Sequence, residues 1–130
     1  MEEKFKIEII SPEKVIFSKD SEVATLPSYE GEMTILKNHI SIIAFLRPGK
    51  ISVKINGVYE EFFVEDGVIE FKNNTLSILS TVINNVKNLS KDYLQNLNKI
   101  IEEKLKINSL TDEEKYILNH KLDTIKNIVS

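Results

Sequence analysis

The sequence has no cysteine and no excess of basic charge, and each absence excludes a class of protein. Without thiols the 130-residue chain can form neither a disulfide scaffold nor a thiolate metal site, and it has no cysteine nucleophile. The 17 Lys and Arg residues against 20 Asp and Glu residues give a net charge of −3, which provides no bulk attraction to nucleic acid or anionic lipid. A hydrophobic fraction of 42% instead predicts one ordinary globular domain, or one domain with a small appendage.

Motifs of known catalytic chemistry are also missing. The sequence contains no HExxH zinc motif, no glycine-rich phosphate loop, no GxSxG nucleophile elbow and no EF-hand loop. Of the two histidines, His39 falls in a predicted loop and His120 in a predicted helix. A loop histidine is most often bonded to backbone, but a hydrolase that uses Glu32 and His39 as acid and base remains a distant alternative. No catalytic residue, metal site or cofactor is therefore predicted.

Short β-strands are predicted for the chain up to about residue 86. Residues 5–9 alternate apolar and charged side chains, which is the period of a half-buried strand, and residues 51–55 repeat this alternation. The second run ends at Asn56-Gly57, a strong hairpin signal because a type I′ turn needs positive φ at both central residues. Asp66-Gly67 and Asn73-Asn74 are further turn signals. Closely spaced strands with regular turns predict an antiparallel β-sandwich or barrel.

Beyond residue 86 the apolar period becomes that of helices. Apolar residues recur at spacings of three and four in two runs, which are Leu94, Leu97, Ile101 and Leu105, then Leu118, Leu122, Ile125 and Val129. Between the runs, Thr111 and Glu114 have the spacing of a capping box. The sequence thus predicts an all-β domain over residues 1–86, followed by an antiparallel two-helix hairpin over 87–130. Each helix has one narrow apolar stripe, so we expect the hairpin to attach weakly and reversibly.

One stretch resembles a known family. The sequence LPSYEGEMTILKNH at 26–39, followed by Leu46-Arg47-Pro48-Gly49, resembles the epsilon subunit of bacterial and plastid ATP synthase. That family typically has E-G-x-x-G-I-L-P-x-H-x-P, then an L-x-P-G turn, and a final L-T-I-L-A strand that Leu76–Leu79 matches here. The chain departs from the pattern at Thr34, Lys37 and Ser41, where the family has glycine and two prolines.

The resemblance implies a non-catalytic subunit of the central stalk, which binds the gamma subunit and couples it to the membrane c-ring. It implies that the loop of Glu30, Gly31, Glu32 and His39 faces the c-ring and the foot of gamma. Related hairpins can extend toward the catalytic alpha/beta head and inhibit ATP hydrolysis. The expected location is the cytoplasmic face of a bacterial inner membrane, with membrane contact only through the complex. The residues expected to define the turns are Pro48, Gly49, Asn56, Gly57 and Gly67.

The start of the first hairpin helix differs from the ATP-binding motif of the family. Some members of the family bind ATP through [IL]-D-x-x-R-A at the start of the first hairpin helix, but residues 89–94 here are Leu-Ser-Lys-Asp-Tyr-Leu. Because both the aspartate and the arginine of that motif are replaced, we predict no functional ATP affinity.

The main alternative to the stalk subunit is a stand-alone β-sandwich adaptor or ligand-binding module with a helical tail.

Overall fold

The computed structural model describes residues 3–129, and of Val129 only the backbone. Within this part the chain forms ten strands and then two helices. The strands are β1 (Phe5–Ile10), β2 (Val15–Ser21), β3 (Val23–Ser28), β4 (Gly31–Ile35), β5 (Ile42–Leu46), β6 (Gly49–Ile55), β7 (Val58–Val64), β8 (Gly67–Lys72), β9 (Thr75–Leu79) and β10 (Ile83–Asn85). A single 3₁₀ turn (Val86–Asn88) precedes α1 (Lys91–Leu105) and α2 (Asp112–Val129).

The strands belong to one curled sheet that closes into a sandwich. Its order is β10-β7-β6-β3-β5-β8-β9-β1-β2, and β4 pairs with β3 off this path. The predicted β-sandwich is confirmed, and its strand pairs are antiparallel except for β1 and β9, which run parallel with Ile7 opposite Leu76. Side-chain alternation specifies the buried face of each strand but not the direction of a partner that is distant in sequence.

The main core lies between the two layers of this sheet. The inward residues of β1 predicted from the alternation, Phe5, Ile7 and Ile9, are buried there. The hairpin turn at Asn56-Gly57 is also confirmed, because the two residues have φ of 51° and 80°. Asn73 and Asn74 both have positive φ as well, which asparagine tolerates better than most residues. No helix of the described part precedes residue 80, as period-two alternation predicts.

Both predicted helices are present, and the expected capping box begins the second. Thr111 and Glu114 form the capping box, since each backbone N–H donates to the side-chain oxygen of the other residue at 3.1 Å. At α1, the Ser90 hydroxyl accepts from the Tyr93 N–H at 3.0 Å. The helices are antiparallel, because Leu94 near the start of α1 lies beside Ile125 near the end of α2.

A second, smaller apolar cluster joins the hairpin to the sheet. Phe63 of β7 is buried among Leu94, Ile101, Leu118 and Ile125 of the two helices. The neighbouring residue of β7 points into the main core instead, as alternation requires. The sandwich therefore contributes one large aromatic side chain to this cluster. The division into 1–86 and 87–130 stays a prediction, and its ends at residues 1–2 and 130 lie outside the described residues.

Candidate functional site

The turn between β3 and β4 carries Glu30 and Gly31 at one end of the sandwich. Ser28 shapes this turn, because its hydroxyl donates to the Gly31 carbonyl at 2.6 Å and accepts from the Glu30 N–H at 3.2 Å. Gly31 has φ of 120°, a conformation that side chains other than hydrogen rarely allow. Glu30 and the next carboxylate, Glu32, are both exposed. The turn thus presents two solvated acidic groups on a rigid backbone.

His39 lies in the loop after β4, and its surroundings fix its orientation. Its Nδ1 lies 2.7 Å from the Ile40 carbonyl oxygen, so Nδ1 carries the hydrogen that is donated. The ring meets Phe71 edge-on at 5.9 Å between centroids. The preceding Asn38 has φ of 66° and exchanges two hydrogen bonds with Asn74, at 2.7 and 3.1 Å. The loop is therefore tied to the β8–β9 turn.

The predicted site residues do not form one cluster. Glu30, Gly31 and Glu32 are together at the start of β4, whereas His39 follows its other end. Five strand residues span roughly 17 Å. Glu32 and His39 therefore lie toward opposite ends of β4, an arrangement that does not favour the hydrolase in which they act together as acid and base. We call residues 30–39 the β4 ribbon, because they form a continuous and largely exposed margin of the sandwich.

A row of apolar side chains crosses the outer face of five neighbouring strands. Phe45 on β5 lies opposite Val68 on β8, which lies opposite Leu79 on β9. Leu79 pairs in turn with Ile10 on β1, and Ile10 with Val15 on β2. Phe45 is 64% exposed and Leu79 50% exposed. We call these five residues the apolar row.

Phe45, Val68 and Leu79 of the apolar row line one side of an open groove of about 1010 Å³. Ile43, which is also 64% exposed, extends the apolar surface along β5. Contiguous exposed apolar surface of this kind usually marks a protein interaction site. No expectation from the sequence included this surface, although the run Ile42–Leu46 is apolar at every position, so both faces of β5 must be apolar.

A third feature connects α2 to the β3–β4 turn. The ring of Tyr116 stacks on Tyr29 at 5.9 Å with an interplanar angle of 20°, and meets His120 at 4.3 Å. Lys121 forms an ion pair of 2.6 Å with Glu65, which follows β7. We call the Tyr29–Tyr116 stack and the Lys121–Glu65 pair the hairpin contact. They join residues far apart in sequence, so no local pattern indicated them.

Titratable groups at the hairpin contact have altered pKa values. Burial raises the pKa of Tyr29, and the nearby carboxylates of Glu113 and Asp66 add to the effect. Burial lowers the pKa of His120, and the Arg47 guanidinium lowers it further. Both shifts favour the neutral form of the side chain, as expected for rings that are partly covered where two parts of the chain meet.

Two of the expected turn residues, Gly49 and Gly67, occupy tight positions. A Cβ on Gly49 would lie 2.6 Å from Cβ of Pro27, so only glycine fits without movement after Pro48. Gly67 has φ of 153°, and a Cβ there would lie 2.7 Å from the Leu79 carbonyl oxygen. These two glycines let strands approach closely at the end of the sheet that carries the groove.

These features define a curled β-sandwich followed by an antiparallel helical hairpin. Known proteins match the chain over both parts. Residues 4–85 match the family model described as ATP synthase, Delta/Epsilon chain, beta-sandwich domain. The ATP synthase epsilon chain of Pelagibacter ubique is 46% identical over 129 residues, which are 98% of this chain and 99% of that protein. The epsilon chain of Rickettsia typhi is 32% identical over 94 residues, covering 70% and 86% of the two chains.

Solved structures show the same fold at low identity. A chain of Euglena gracilis mitochondrial ATP synthase superposes with a TM-score of 0.81 at 14% identity, covering 98% of this chain and 82% of the other. A chain of the central stalk and c-ring of Tetrahymena thermophila mitochondrial ATP synthase gives 0.68 at 18% identity, covering 99% and 98%.

The chain therefore belongs to the delta/epsilon family of ATP synthase subunits. It is a non-catalytic subunit, and the enzyme is the membrane-bound complex. This membership replaces the alternative of a stand-alone adaptor. None of the helices within residues 3–129 is long and apolar enough to cross a membrane.

Proposed function

We propose that this chain is the central-stalk subunit that joins gamma to the c-ring, and that gamma docks on the apolar row. The exposure of this row carries the proposal. Fully burying an apolar side chain as large as Phe45 or Leu79 contributes about 1.5–3 kcal/mol, so three or four such contacts can anchor a partner. The likeness in fold to chains of ATP synthase rotors supports gamma as the occupant.

Charge substitution in the apolar row tests this proposal. Phe45→Glu places a carboxylate at the β5 end of the row, where gamma would have to desolvate it. We expect gamma to be retained on the tagged full-length chain and lost with Phe45→Glu. The matched control is Val58→Glu, because Val58 is 61% exposed but lies at the β6–β7 hairpin, away from the row. Equal loss of gamma with both variants, or with neither, would contradict the proposed docking face.

The β4 ribbon is proposed to contact the c-ring and the foot of gamma. Glu30, Gly31 and Glu32 form one polar contact at its first end, and His39 forms a second contact at its other end. Both sit on rigid turns, which suits a surface that must hold a ring of identical polar loops. We expect Glu32→Gln to weaken ATP-driven proton pumping while gamma binding is unchanged. The same variant should have no effect if this end of the ribbon faces solvent.

The hairpin is proposed to inhibit ATP hydrolysis when it extends toward the catalytic alpha/beta head. The hairpin carries many lysines, namely Lys91, Lys99, Lys104, Lys106, Lys115, Lys121 and Lys126. Lysine makes point-charge contacts that salt screens, with a Debye length of about 8 Å at 0.15 M. Deleting residues 88–130 should raise ATP hydrolysis by the complex, and the rise should shrink as salt increases. Unchanged hydrolysis at low salt would contradict the inhibitory role.

The same deletion tests whether the sandwich alone binds gamma. Because the apolar row lies on the sandwich, the chain lacking 88–130 should still bind gamma. Loss of assembly would show that the hairpin is required for docking. The proposed location is peripheral, on the cytoplasmic face of a bacterial inner membrane, and fractionation of membranes with and without the c-ring would test it.

A further inference from the structure

We infer that docking of gamma and closure of the hairpin stabilise each other through Tyr29. This inference rests on the proposed function, since gamma is taken as the occupant of the groove. Its structural basis is that the groove is not formed by the sandwich alone. Glu113, in the first turn of α2, lines the groove together with Tyr29 and with Phe45, Val68 and Leu79 of the apolar row. The surface offered to a partner therefore depends on where the hairpin lies.

Tyr29 is the residue shared by the groove and the hairpin contact. Its ring stacks on Tyr116 of α2, while the side chain is still 45% exposed and lines the groove. Tyr29 lies at the tip of the β3–β4 turn, and the Ser28 hydroxyl holds the backbone of this turn. The turn is also bonded to β5, because the Tyr29 N–H donates to the Phe45 carbonyl at 3.2 Å. The backbone that carries the Tyr29 ring is thus hydrogen-bonded to the backbone of Phe45, a residue of the apolar row.

Opening of the hairpin removes contacts from the groove, and this loss determines which form gamma binds more tightly. When α2 leaves, Tyr29 loses its stacking partner and regains rotamer freedom, and Glu113 no longer lines the groove. A partner that binds the open form must then order the Tyr29 ring itself and has less surface to contact. Gamma should therefore bind more tightly to the closed form, and by reciprocity bound gamma should favour closure by the same factor. An aromatic pair of this geometry corresponds to roughly threefold to tenfold in the equilibrium.

The test uses the full-length chain with purified gamma and two measurements. Gamma affinity is measured by titration, and hairpin opening by hydrogen exchange of the α2 amides with and without gamma. Tyr116→Ala removes the stack but leaves every residue of the apolar row in place. The matched control is Tyr93→Ala, because Tyr93 is an exposed tyrosine on α1 that does not line the groove.

For the natural chain we expect gamma to slow α2 exchange by roughly threefold to tenfold. Tyr116→Ala should lose this slowing and bind gamma more weakly by a similar factor, whereas Tyr93→Ala should keep both properties. Binding of gamma with unchanged or faster α2 exchange would overturn the coupling and leave the docking proposal intact. The coupling would also be overturned if Tyr116→Ala kept both the slowing and the affinity. If gamma did not bind the natural chain, the proposed function and the coupling would fail together.

Discussion

Replacing Phe63 by alanine should release the hairpin while leaving the sandwich folded. Phe63 is 2% exposed, and the side chains that bury it belong to α1 and α2. Its cross-strand neighbours Lys50 and Asn84 are not apolar, so the outer face of β7 offers it little other cover. A buried Phe→Ala substitution typically costs about 3–5 kcal/mol, and here the cost falls on hairpin docking. The closed form should therefore be disfavoured roughly a hundredfold to a few thousandfold.

Hydrogen exchange resolved by segment is the suitable assay, because it reports opening of each part separately. Exchange of α1 and α2 amides should accelerate by the factor above, and β1 and β9 should stay protected. The control is the adjacent Phe62→Ala. Phe62 is 3% exposed in the main core, edge-on to Phe17 at 5.3 Å, so its loss should destabilise the strands themselves. Equal loss of strand protection with both variants would refute independent docking and show one cooperative unit.

Three further predictions concern the hairpin. Burial and Arg47 lower the pKa of His120, and Asp123 opposes them. Closure of the hairpin should therefore be strongest above the ordinary histidine pKa of about 6.5 and should weaken as pH falls through the lowered pKa. His120→Gln should remove this pH dependence from hydrogen exchange of the α2 amides measured over a pH series. Thr111→Ala should cost about 1 kcal/mol of helix stability and fray the first turn of α2 in exchange or circular dichroism measurements, with Thr111→Ser restoring most of it. ATP titrated to about 1 mM should not saturate any shift in hairpin amide resonances, and saturation below that would reveal a site not formed by residues 89–94.

The fold could be predicted largely from local patterns. Alternation in β1 and β6, the Asn56-Gly57 turn and the Thr111–Glu114 box each depend on residues within a few positions of one another, and the structure confirms them. The parallel pairing of β1 with β9 could not be predicted this way, because a local pattern does not specify which distant strand will be the neighbour.

The candidate site was predicted less well, for a related reason. The family motif indicated the β4 ribbon by its residues, but not that β4 holds His39 away from Glu32. The stack of Tyr29 on Tyr116 joins two residues whose separation in sequence exceeds 80 positions, so only the tertiary structure shows it. The apolar row had a local signal in β5, and its continuation through Val68 and Leu79 depends on strand register.

The loop that carries His39 shows how this chain can keep a family feature without the family's residues. Lys37 and Ser41 stand where relatives have prolines, and proline stiffens a loop by fixing φ. Here Asn38 adopts positive φ, its backbone N–H donates to the Asn74 side-chain oxygen, and its own side-chain oxygen accepts from the Asn74 amide; Asn74 itself has positive φ. These bonds tie the loop to the β8–β9 turn, 36 residues away in sequence. Hydrogen bonds between two turns thus hold this loop where the family motif has prolines. The departures from the motif therefore need not loosen the end of the β4 ribbon.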